Sequence, residues 1–329
     1  MSQAPLFLLV SKLISLIAPS PHEVGFLINV GSALASAATI MFLFWTITAL
    51  ARKCVTGKAG ISRRQQVIVL SAGLTGALAY TFSDSFWFSA VEAEVYGLSS
   101  LCTAVVFWAI LKWDAEAEDP RSARWLLFIA YVIGLSIGIH LLSLLAIPAI
   151  AMVFYLRKNK EHTAKGIALT LLTGCGLLGL IQYGVIQYLV LFASKFELFF
   201  VNSLGLAFGS GALVFVFLLA GGLITGIYYS HRKAKPVLNL VLLCASFIIF
   251  GYASYAMLMI RANAKTSINV SNPDNTFSLL AYLSREQYGD TPLLYGPYFD
   301  SQVVSSTETG KLYRKGKDRY EVAGTKEKQ

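Results

Sequence analysis

Long apolar segments alternate with short polar ones along most of the chain. Each apolar segment approaches the roughly 20 residues that an α-helix needs to cross a bilayer. The candidate spans are 24–50, 66–83, 95–112, 125–139, 141–156, 166–192, 209–230 and 236–260. This pattern predicts an all-α polytopic membrane protein with about eight transmembrane helices.

A shorter apolar run, MSQAPLFLLVSKLISLIAPS, opens the chain and ends at Pro19 and Pro21. It lacks the basic start and the small-residue cleavage site of a signal peptide, and Lys12 interrupts it. We therefore interpret residues 1–21 as an interfacial amphipathic helix, the remnant of a first exoplasmic loop. An uncleaved first span is the alternative interpretation.

The distribution of basic residues predicts the orientation of the spans. Three loops rich in Lys and Arg fall on one side if the spans alternate: 51–65, 157–165 and 231–235. Such loops mark the cytoplasmic face of a membrane protein. The segments expected to face outward are 81–94, 193–208 and everything after position 261.

Composition supports a membrane protein and argues against a nucleic-acid partner. The chain is 56% hydrophobic and 14% charged, whereas soluble domains carry about 25% charged residues. The net charge of +9 is spread over short clusters between apolar segments and over the tail. Membrane topology and contact with membrane lipids explain these clusters better than a nucleic-acid surface does.

The chain changes character after its last apolar segment, where it becomes polar and rich in turn-forming residues. One helix-like stretch at 276–287 stands out in this part. We therefore predict three regions. They are the interfacial helix at 1–21, a transmembrane core at 22–262 and the incomplete start of an exoplasmic soluble region at 263–329.

The stretch TFSDSFWFSAVEAEVYGLSS at 81–100 holds three carboxylates and no basic residue. Grouped carboxylates at a membrane boundary repel one another and lose hydration, which favours a visiting cation or proton. Asp84, Glu92 and Glu94 are thus candidate catalytic residues. In the alternative interpretation, Asp84 caps a helix and both glutamates simply face water, while Trp87 and its aromatic neighbours form an interfacial belt.

Two further polar side chains lie at membrane boundaries. His140 is placed at the outer turn of a tight apolar hairpin, LSIGIHLLSLLAIPAI, and Arg261 marks the outer end of the last span. An ionisable residue among apolar ones at membrane depth is a candidate functional residue. The alternatives are a histidine that only locks the hairpin and an arginine that only extends to the interface.

Several long motifs resemble those of a known family. They are FSDSFWFSAVEAEVYGLSSL, FWAILKW, GLSIGIHLLSLLAIPAI and NPDNTFSLLAYLSREQYGDTPLLYGPYF, spread over essentially the whole chain. This set is similar to a large bacterial family of multi-spanning proteins that is grouped with the GT-C glycosyltransferases. A eukaryotic transmembrane O-mannosyltransferase is related to that family.

The resemblance implies a GT-C membrane core, in the bacterial inner membrane, that transfers sugar on its exoplasmic side. It implies an inverting enzyme, a polyprenyl-phosphate-linked sugar as donor and a hydroxyl acceptor, such as Ser or Thr of an exported protein or a glycan. Asp84, Glu92 and Glu94 then occupy the second acidic loop of such enzymes. His140, Arg261, Trp87 and Tyr96 are expected to bind substrate, and a divalent cation, Mg²⁺ or Mn²⁺, is a candidate cofactor.

The two ends of the chain depart from the family pattern. Members begin with a further span and a first-loop acid before an HPPGAPLF-like stretch, of which only QAPLF is present at 3–7. They also continue beyond the position where this chain ends. We therefore expect a chain that is truncated at both ends and, by itself, inactive.

Two other functions are compatible with the sequence. A transporter or flippase for lipid-linked saccharides is the first alternative, but it requires charges within several spans, whereas nearly all charges here lie at the ends of the spans. A membrane scaffold without catalytic activity is the second alternative. It requires the acidic stretch to tolerate neutral replacements.

Overall fold

The structure is a computed structural model that describes residues 4–55, 60–269, 271–289, 296, 298, 300–302 and 307–328. The chain divides into two compact units, each with its own internal contacts. Unit 1 is Met1–Leu180 with Tyr229–Tyr255, and unit 2 is Ile181–Tyr228 with Ala256–Gln329.

Helices make up most of the described chain. The α-helices are α1 Pro5–Ser15, α2 Val24–Val55, α3 Arg63–Thr81, α4 Asp84–Val91, α5 Val95–Ala115, α6 Ala123–Ile137, α7 Ile147–Lys158, α8 Ala164–Gly179, α9 Leu189–Leu198, α10 Ser210–Arg232, α11 Pro236–Tyr252, α12 Ala256–Asn263 and α13 Thr276–Leu283. Short 3₁₀ helices cover Pro21–Glu23, Leu141–Ala146, Ala253–Tyr255 and Glu286–Tyr288, and π-helices cover Leu180–Tyr188 and Phe199–Ser203. Two strands, β1 Thr307–Lys315 and β2 Tyr320–Lys328, form an antiparallel hairpin.

Within the described residues, six helical segments are long and apolar enough to cross a membrane. They are Pro21–Val55, Val95–Ala115, Leu141–Lys158, Ala164–Ser203, Ser210–Arg232 and Pro236–Asn263. A seventh is obtained if α3 and α4 count as one bent span. The chain is therefore an all-α polytopic membrane protein, as its sequence predicts.

Two of the predicted spans differ from the helices that form. The segment predicted at 125–139 is α6, which has 15 residues and measures about 22 Å at about 1.5 Å per residue. That length is shorter than the roughly 30 Å of a bilayer's hydrocarbon core. The segment predicted at 66–83 is α3, which is apolar enough for a span only when α4 is counted with it. Polar residues at the start of α3 lower its hydropathy.

The loop predicted at 193–208 is wrong over most of its length. Helical structure runs without interruption from Ala164 to Ser203, through α8, the first π-helix, α9 and the second π-helix. Lys195 and Glu197 gave this stretch a loop-like polarity in the sequence. Its other residues are mostly apolar, and hydrogen bonds to Glu197 compensate the buried charge, so the helix continues.

In unit 1, helix α2 packs against α3 and α5, and α6 packs against α11. Glycine allows the closest approach between α6 and α11. A β-carbon added at Gly134 would lie 2.6 Å from the carbonyl oxygen of Ile248, and one added at Gly251 would meet the backbone of Gly134. Small residues at such crossings let helix backbones touch, which is the usual way that transmembrane helices associate.

Helix α1 has 11 residues and measures about 16 Å, which is too short to cross a bilayer alone. Its Leu6 N–H donates to the carbonyl of Gly138 over 2.9 Å, and Pro5 and Phe7 are buried. Helix α1 thus packs on the turn after α6. The interfacial position of residues 1–21 stays a prediction.

Unit 2 contains the β-hairpin, which the sequence analysis missed. Phe277 of α13 lies 5.0 Å from the Tyr313 ring and 4.9 Å from the Tyr320 ring, between ring centroids. Helix α13 in turn packs against α9. The helix predicted at 276–287 is therefore present as α13, and it joins the hairpin to the helices of unit 2.

Candidate functional site

The acidic stretch begins at a sharp break between α3 and α4, whose axes differ by 67°. Ser83 adopts an extended conformation as the residue before α4, and its hydroxyl donates to the Tyr80 carbonyl over 2.8 Å. Short polar residues offer the backbone such alternatives to helical hydrogen bonds. The sequence Ser83-Asp84 therefore ends one helix and starts the next.

An open cavity of about 360 Å³ lies at this break. It is lined by Phe82, Asp84, Trp87 and Phe88. The Phe82 and Trp87 rings are stacked, with centroids 5.9 Å apart and planes 15° apart. The cavity combines one carboxylate with exposed aromatic faces, which is a surface suited to a sugar ring.

Asp84 is the first residue of α4, and Ser83 before it is the N-cap residue. The proposed capping role for Asp84 is therefore wrong in detail, although its charge in the first turn still favours the helix through the helix dipole. The eight residues of α4 place Glu92 about 12 Å from Asp84 along the helix axis. Asp84 thus occupies one end of α4 and both glutamates occupy the other.

Glu92 and Glu94 flank a tight turn at Ala93. The N–H of Glu94 donates to the carbonyl of Glu92 over 2.8 Å, an i to i+2 contact of the γ-turn kind. Glu94 then serves as N-cap residue of α5, with no hydrogen bond from its side chain to that helix. Both glutamates are half-buried. They lie neither on a regular helix nor on a regular strand.

His140 lies beside the start of α5. Its ring centroid is 5.5 Å from that of Tyr96, which lies two residues after Glu94. The Nδ1 atom of His140 accepts a hydrogen bond from the Leu142 N–H over 3.2 Å, so the neutral ring carries its proton on Nε2. The structure thus brings His140 and Tyr96 together at the same end of α5 as the acidic turn.

Arg261 belongs to unit 2, near the end of α12. It is half-buried. Two residues on, the Asn263 side chain donates to the carbonyls of Met259 and Asp274, each over 2.8 Å. These bonds join the end of α12 to the turn before α13. Phosphate binding by Arg261 stays a prediction.

A site for the candidate metal, Mg²⁺ or Mn²⁺, would need several acidic or other ligating side chains close together. Among the residues that the structure describes, no three His, Cys, Asp or Glu side chains are grouped as metal ligands. Asp84 is separated from both glutamates by the length of α4, so these acids offer at most a partial ligand set. The described residues therefore do not form a complete divalent-cation site.

One buried acid escaped the sequence analysis. Glu197 of α9 is 1% exposed. Its Oε1 accepts from the Gly209 N–H over 2.6 Å, and its Oε2 accepts from the Ala212 N–H over 3.1 Å. Glu197 therefore caps the start of α10 from a neighbouring helix. The signal for it was a lone acid within the apolar run LVLFASKFELFF.

The same carboxylate reaches the β-hairpin of unit 2. The Tyr320 hydroxyl donates to Oε1 of Glu197 over 3.2 Å, and the Asn202 side chain exchanges two hydrogen bonds of 2.8 Å with the Tyr320 backbone. Burial raises the pKa of the Tyr320 hydroxyl, and the Glu197 charge raises it further. This junction of Glu197, Asn202 and Tyr320 holds unit 2 together rather than forming an open site.

The fold and the acidic break define the chain as a multi-pass helical membrane protein with an acidic, aromatic surface at one end of a helix bundle. Residues 3–163 match the family model described as the N-terminal domain of the protein O-mannosyl-transferase TMEM260. The match covers slightly less than half of the chain. It supports the expected relation to a eukaryotic O-mannosyltransferase.

The matched residues include every candidate site residue of unit 1 and exclude Arg261. They also exclude the later NPDN stretch, for which the family resemblance stays a prediction. No curated protein and no solved structure matches the chain.

Proposed function

We propose that this chain is the core of a GT-C-type membrane glycosyltransferase. It takes a sugar from a polyprenyl-phosphate donor and transfers it to a hydroxyl of an exported protein or glycan, at the outer face of the membrane. The single observation that carries the proposal is the match of residues 3–163 to a protein O-mannosyl-transferase domain. The acidic break between α3 and α5 lies within that match.

The chemistry requires a proton acceptor for the attacking hydroxyl and a hydrogen-bond donor that stabilises the leaving phosphate. A hydroxyl that attacks an anomeric carbon must lose its proton, and a positioned carboxylate can accept it. Glu92 and Glu94 are half-buried at the turn into α5, so one of them serves as this base. The His140 ring, which lies beside Tyr96 at this end of α5, is assigned as the donor to a phosphate oxygen.

The open cavity at the α3–α4 break gives a sugar of the substrate a place to bind. The stacked Phe82 and Trp87 rings offer their faces, and Asp84 accepts hydrogen bonds from sugar hydroxyls. Tyr96, in the first turn of α5, lies beside His140. In this arrangement Asp84 and Trp87 hold the substrate about 12 Å along α4 from the turn at Glu92–Glu94, which performs the proton transfer.

The test is transfer of labelled mannose from polyprenyl-phosphate mannose to a Ser/Thr-rich acceptor protein in membranes that contain a full-length relative, with each substitution below made at the matching position. Glu92→Gln or Glu94→Gln is expected to lower the rate by about 10²–10⁴, the usual contribution of a general base. Glu161→Gln, an exposed acid in the loop after α7, is the matched control and should leave the rate unchanged.

Equal rates in all of these variants would contradict the proposal. Movement of the intact sugar lipid across sealed vesicles, without transfer to any acceptor, would instead favour the flippase alternative.

A further inference from the structure

A second, larger cavity of unit 1 lies at the other end of α2, α3 and α5. It has a volume of about 780 Å³ and opens between the last turns of α2 and α5 and the first turns of α3. We call it the inner pocket, because the basic loops assign this end to the cytoplasm. It lies at the end of these helices opposite to the acidic break.

One wall of the inner pocket is apolar and aromatic. It contains Trp45, which is 40% exposed, together with Trp108 and the buried Val69. Exposed apolar side chains continue along α3 at Leu70 and Leu74. An apolar chain that leaves the pocket along α3 therefore meets further exposed apolar side chains.

The opposite rim is basic. Arg52, Lys53 and Lys112 all line the pocket, and the Lys112 Nζ lies 5.6 Å from the centroid of the Trp108 ring. Lys53 pairs with Asp114, whose other oxygen lies 3.8 Å from Arg157. Glu116 also lies near Lys112, and it pairs with Arg124. Each of these two acids is thus shared with a cation outside the rim, so the rim keeps a positive charge.

We propose that the inner pocket binds the headgroup of an anionic glycerophospholipid. Its phosphate lies at the rim of Arg52, Lys53 and Lys112, and its acyl chain follows Trp45 and the surface of α3. Basic pockets between transmembrane helices on the cytoplasmic side recognise anionic lipid headgroups in this way. The juxtaposition of a positive rim and an apolar wall matches a ligand that is anionic at one end and apolar at the other.

A soluble phosphate compound fits the pocket less well. It would engage the basic rim but leave the half-exposed Trp45 and the apolar wall without a partner. A neutral phospholipid would cover the wall but would gain less from the rim, because its own headgroup cation opposes the charge there. The anionic phospholipid is the occupant that uses both sides.

Tryptophan fluorescence of the full chain in mixed micelles tests the proposal. The quenchers are phosphatidylglycerol and phosphatidylcholine with brominated acyl chains, which quench tryptophans on contact. Phosphatidylglycerol should quench at a lower mole fraction than phosphatidylcholine. Excess inorganic phosphate should leave the quenching unchanged, and displacement by it would overturn the assignment to a lipid.

The double variant Arg52→Gln and Lys112→Gln should weaken the preference for phosphatidylglycerol by about thirty-fold, from about a five-fold loss per basic side chain. The matched control is Lys158→Gln with Lys160→Gln, which removes two charges near the end of α7 and in the loop after it, outside the pocket. Size-exclusion profiles and far-UV circular dichroism confirm that both proteins fold. Equal quenching by the two lipids, or an equal loss in the control, would overturn the proposal.

Discussion

Glu197 shows how a single buried acid can organise one unit of a membrane protein. A carboxylate in an apolar helix is costly unless its oxygens are hydrogen-bonded. Two backbone N–H groups at the start of α10 and the Tyr320 hydroxyl meet this need. Gly209 has a φ of +91°, a left-handed conformation that glycine adopts without strain, and this presents its N–H to the acid.

Replacement of Glu197 by Gln is expected to destabilise the protein by about 1–3 kcal/mol. An amide NH₂ would replace one acceptor oxygen and face a backbone donor. Tyr320→Phe should cost less, about 0.5–1.5 kcal/mol, because it removes one hydrogen bond. Thermal unfolding in detergent measures both effects, with the exposed Glu161→Gln as control. A Gln variant as stable as the original protein would show that the carboxylate has no structural role.

The raised pKa of Tyr320 predicts a change in stability at high pH. The unfolded tyrosine ionises near its ordinary pKa of about 10, whereas the folded one stays protonated to a higher pH. Its contribution is therefore complete below about pH 10 and is lost as the pH rises above that value. Thermal unfolding is compared at about pH 9 and about pH 11, on the order of one unit below and above the ordinary pKa of tyrosine. Between these two pH values, Tyr320→Phe should lose less stability than the original protein. Tyr298→Phe, at an exposed position, should behave like the original.

At the scale of the helices, the close crossing of α6 and α11 depends on glycine. Gly134→Ala is expected to destabilise the protein by about 1–3 kcal/mol, because the new methyl would meet the Ile248 carbonyl. Gly176→Ala in α8 is the matched control, since a β-carbon there meets nothing within 4 Å. It should leave stability unchanged or raise it by about 0.5–1 kcal/mol. Thermal unfolding of the two variants side by side decides the point, and an equal effect would refute the packing role.

The lengths of the apolar segments predicted most of the spanning helices, because length and hydropathy alone make a spanning segment stable in lipid. The helix ends were harder to predict. The break before Asp84 depends on local hydrogen bonds of Ser83, and the continuation through Glu197 depends on donors from residues 209 and 212. The β-hairpin alternates too weakly in hydrophobicity to stand out, and Phe277 supplies the aromatic contacts that stabilise it.

The candidate site was predictable only in part. The composition of the stretch at 81–100 identified its acids and Trp87, and the position of His140 identified a second polar point. Tyr96 and His140 are 44 positions apart in the sequence, and their contact follows from how α5 and the turn after α6 pack. The relative position of the Glu92 and Glu94 side chains depends on the turn at Ala93. The spacing of two residues in the sequence cannot reveal that turn.

At the scale of the whole molecule, the acidic residues of the loop after α5 do not oppose the predicted orientation. Arg157 donates to Glu118 over 3.0 Å, and Arg124 donates to Glu116 over 2.7 Å. The Trp125 N–H and Arg124 together lower the pKa of Glu116. These acids are paired with cations of the same end, and acidic residues contribute little to orientation in any case.

Reporter tags should therefore detect the cytoplasm near Asn159 and Lys233 and the outside near Ser89 and Asp274. The basic loops decide this orientation through the positive-inside rule. Accessibility of engineered cysteines to an impermeant reagent is an independent measurement at the same positions. A fifth position chosen from the sequence, Gly57, lies outside the described residues. Reversal of any one position would refute the predicted orientation.

The 67° bend between α3 and α4 has a kinetic consequence. Helix α3 has 19 residues and measures about 28 Å, close to the thickness of the hydrocarbon core. With α3 upright, α4 turns toward the bilayer plane and sets Trp87 and Asp84 at the level of the headgroups. The polyprenyl-linked donor that we propose would then arrive by lateral diffusion within one leaflet. The reaction rate should therefore follow the donor's mole fraction among lipids and remain constant when the aqueous volume is increased.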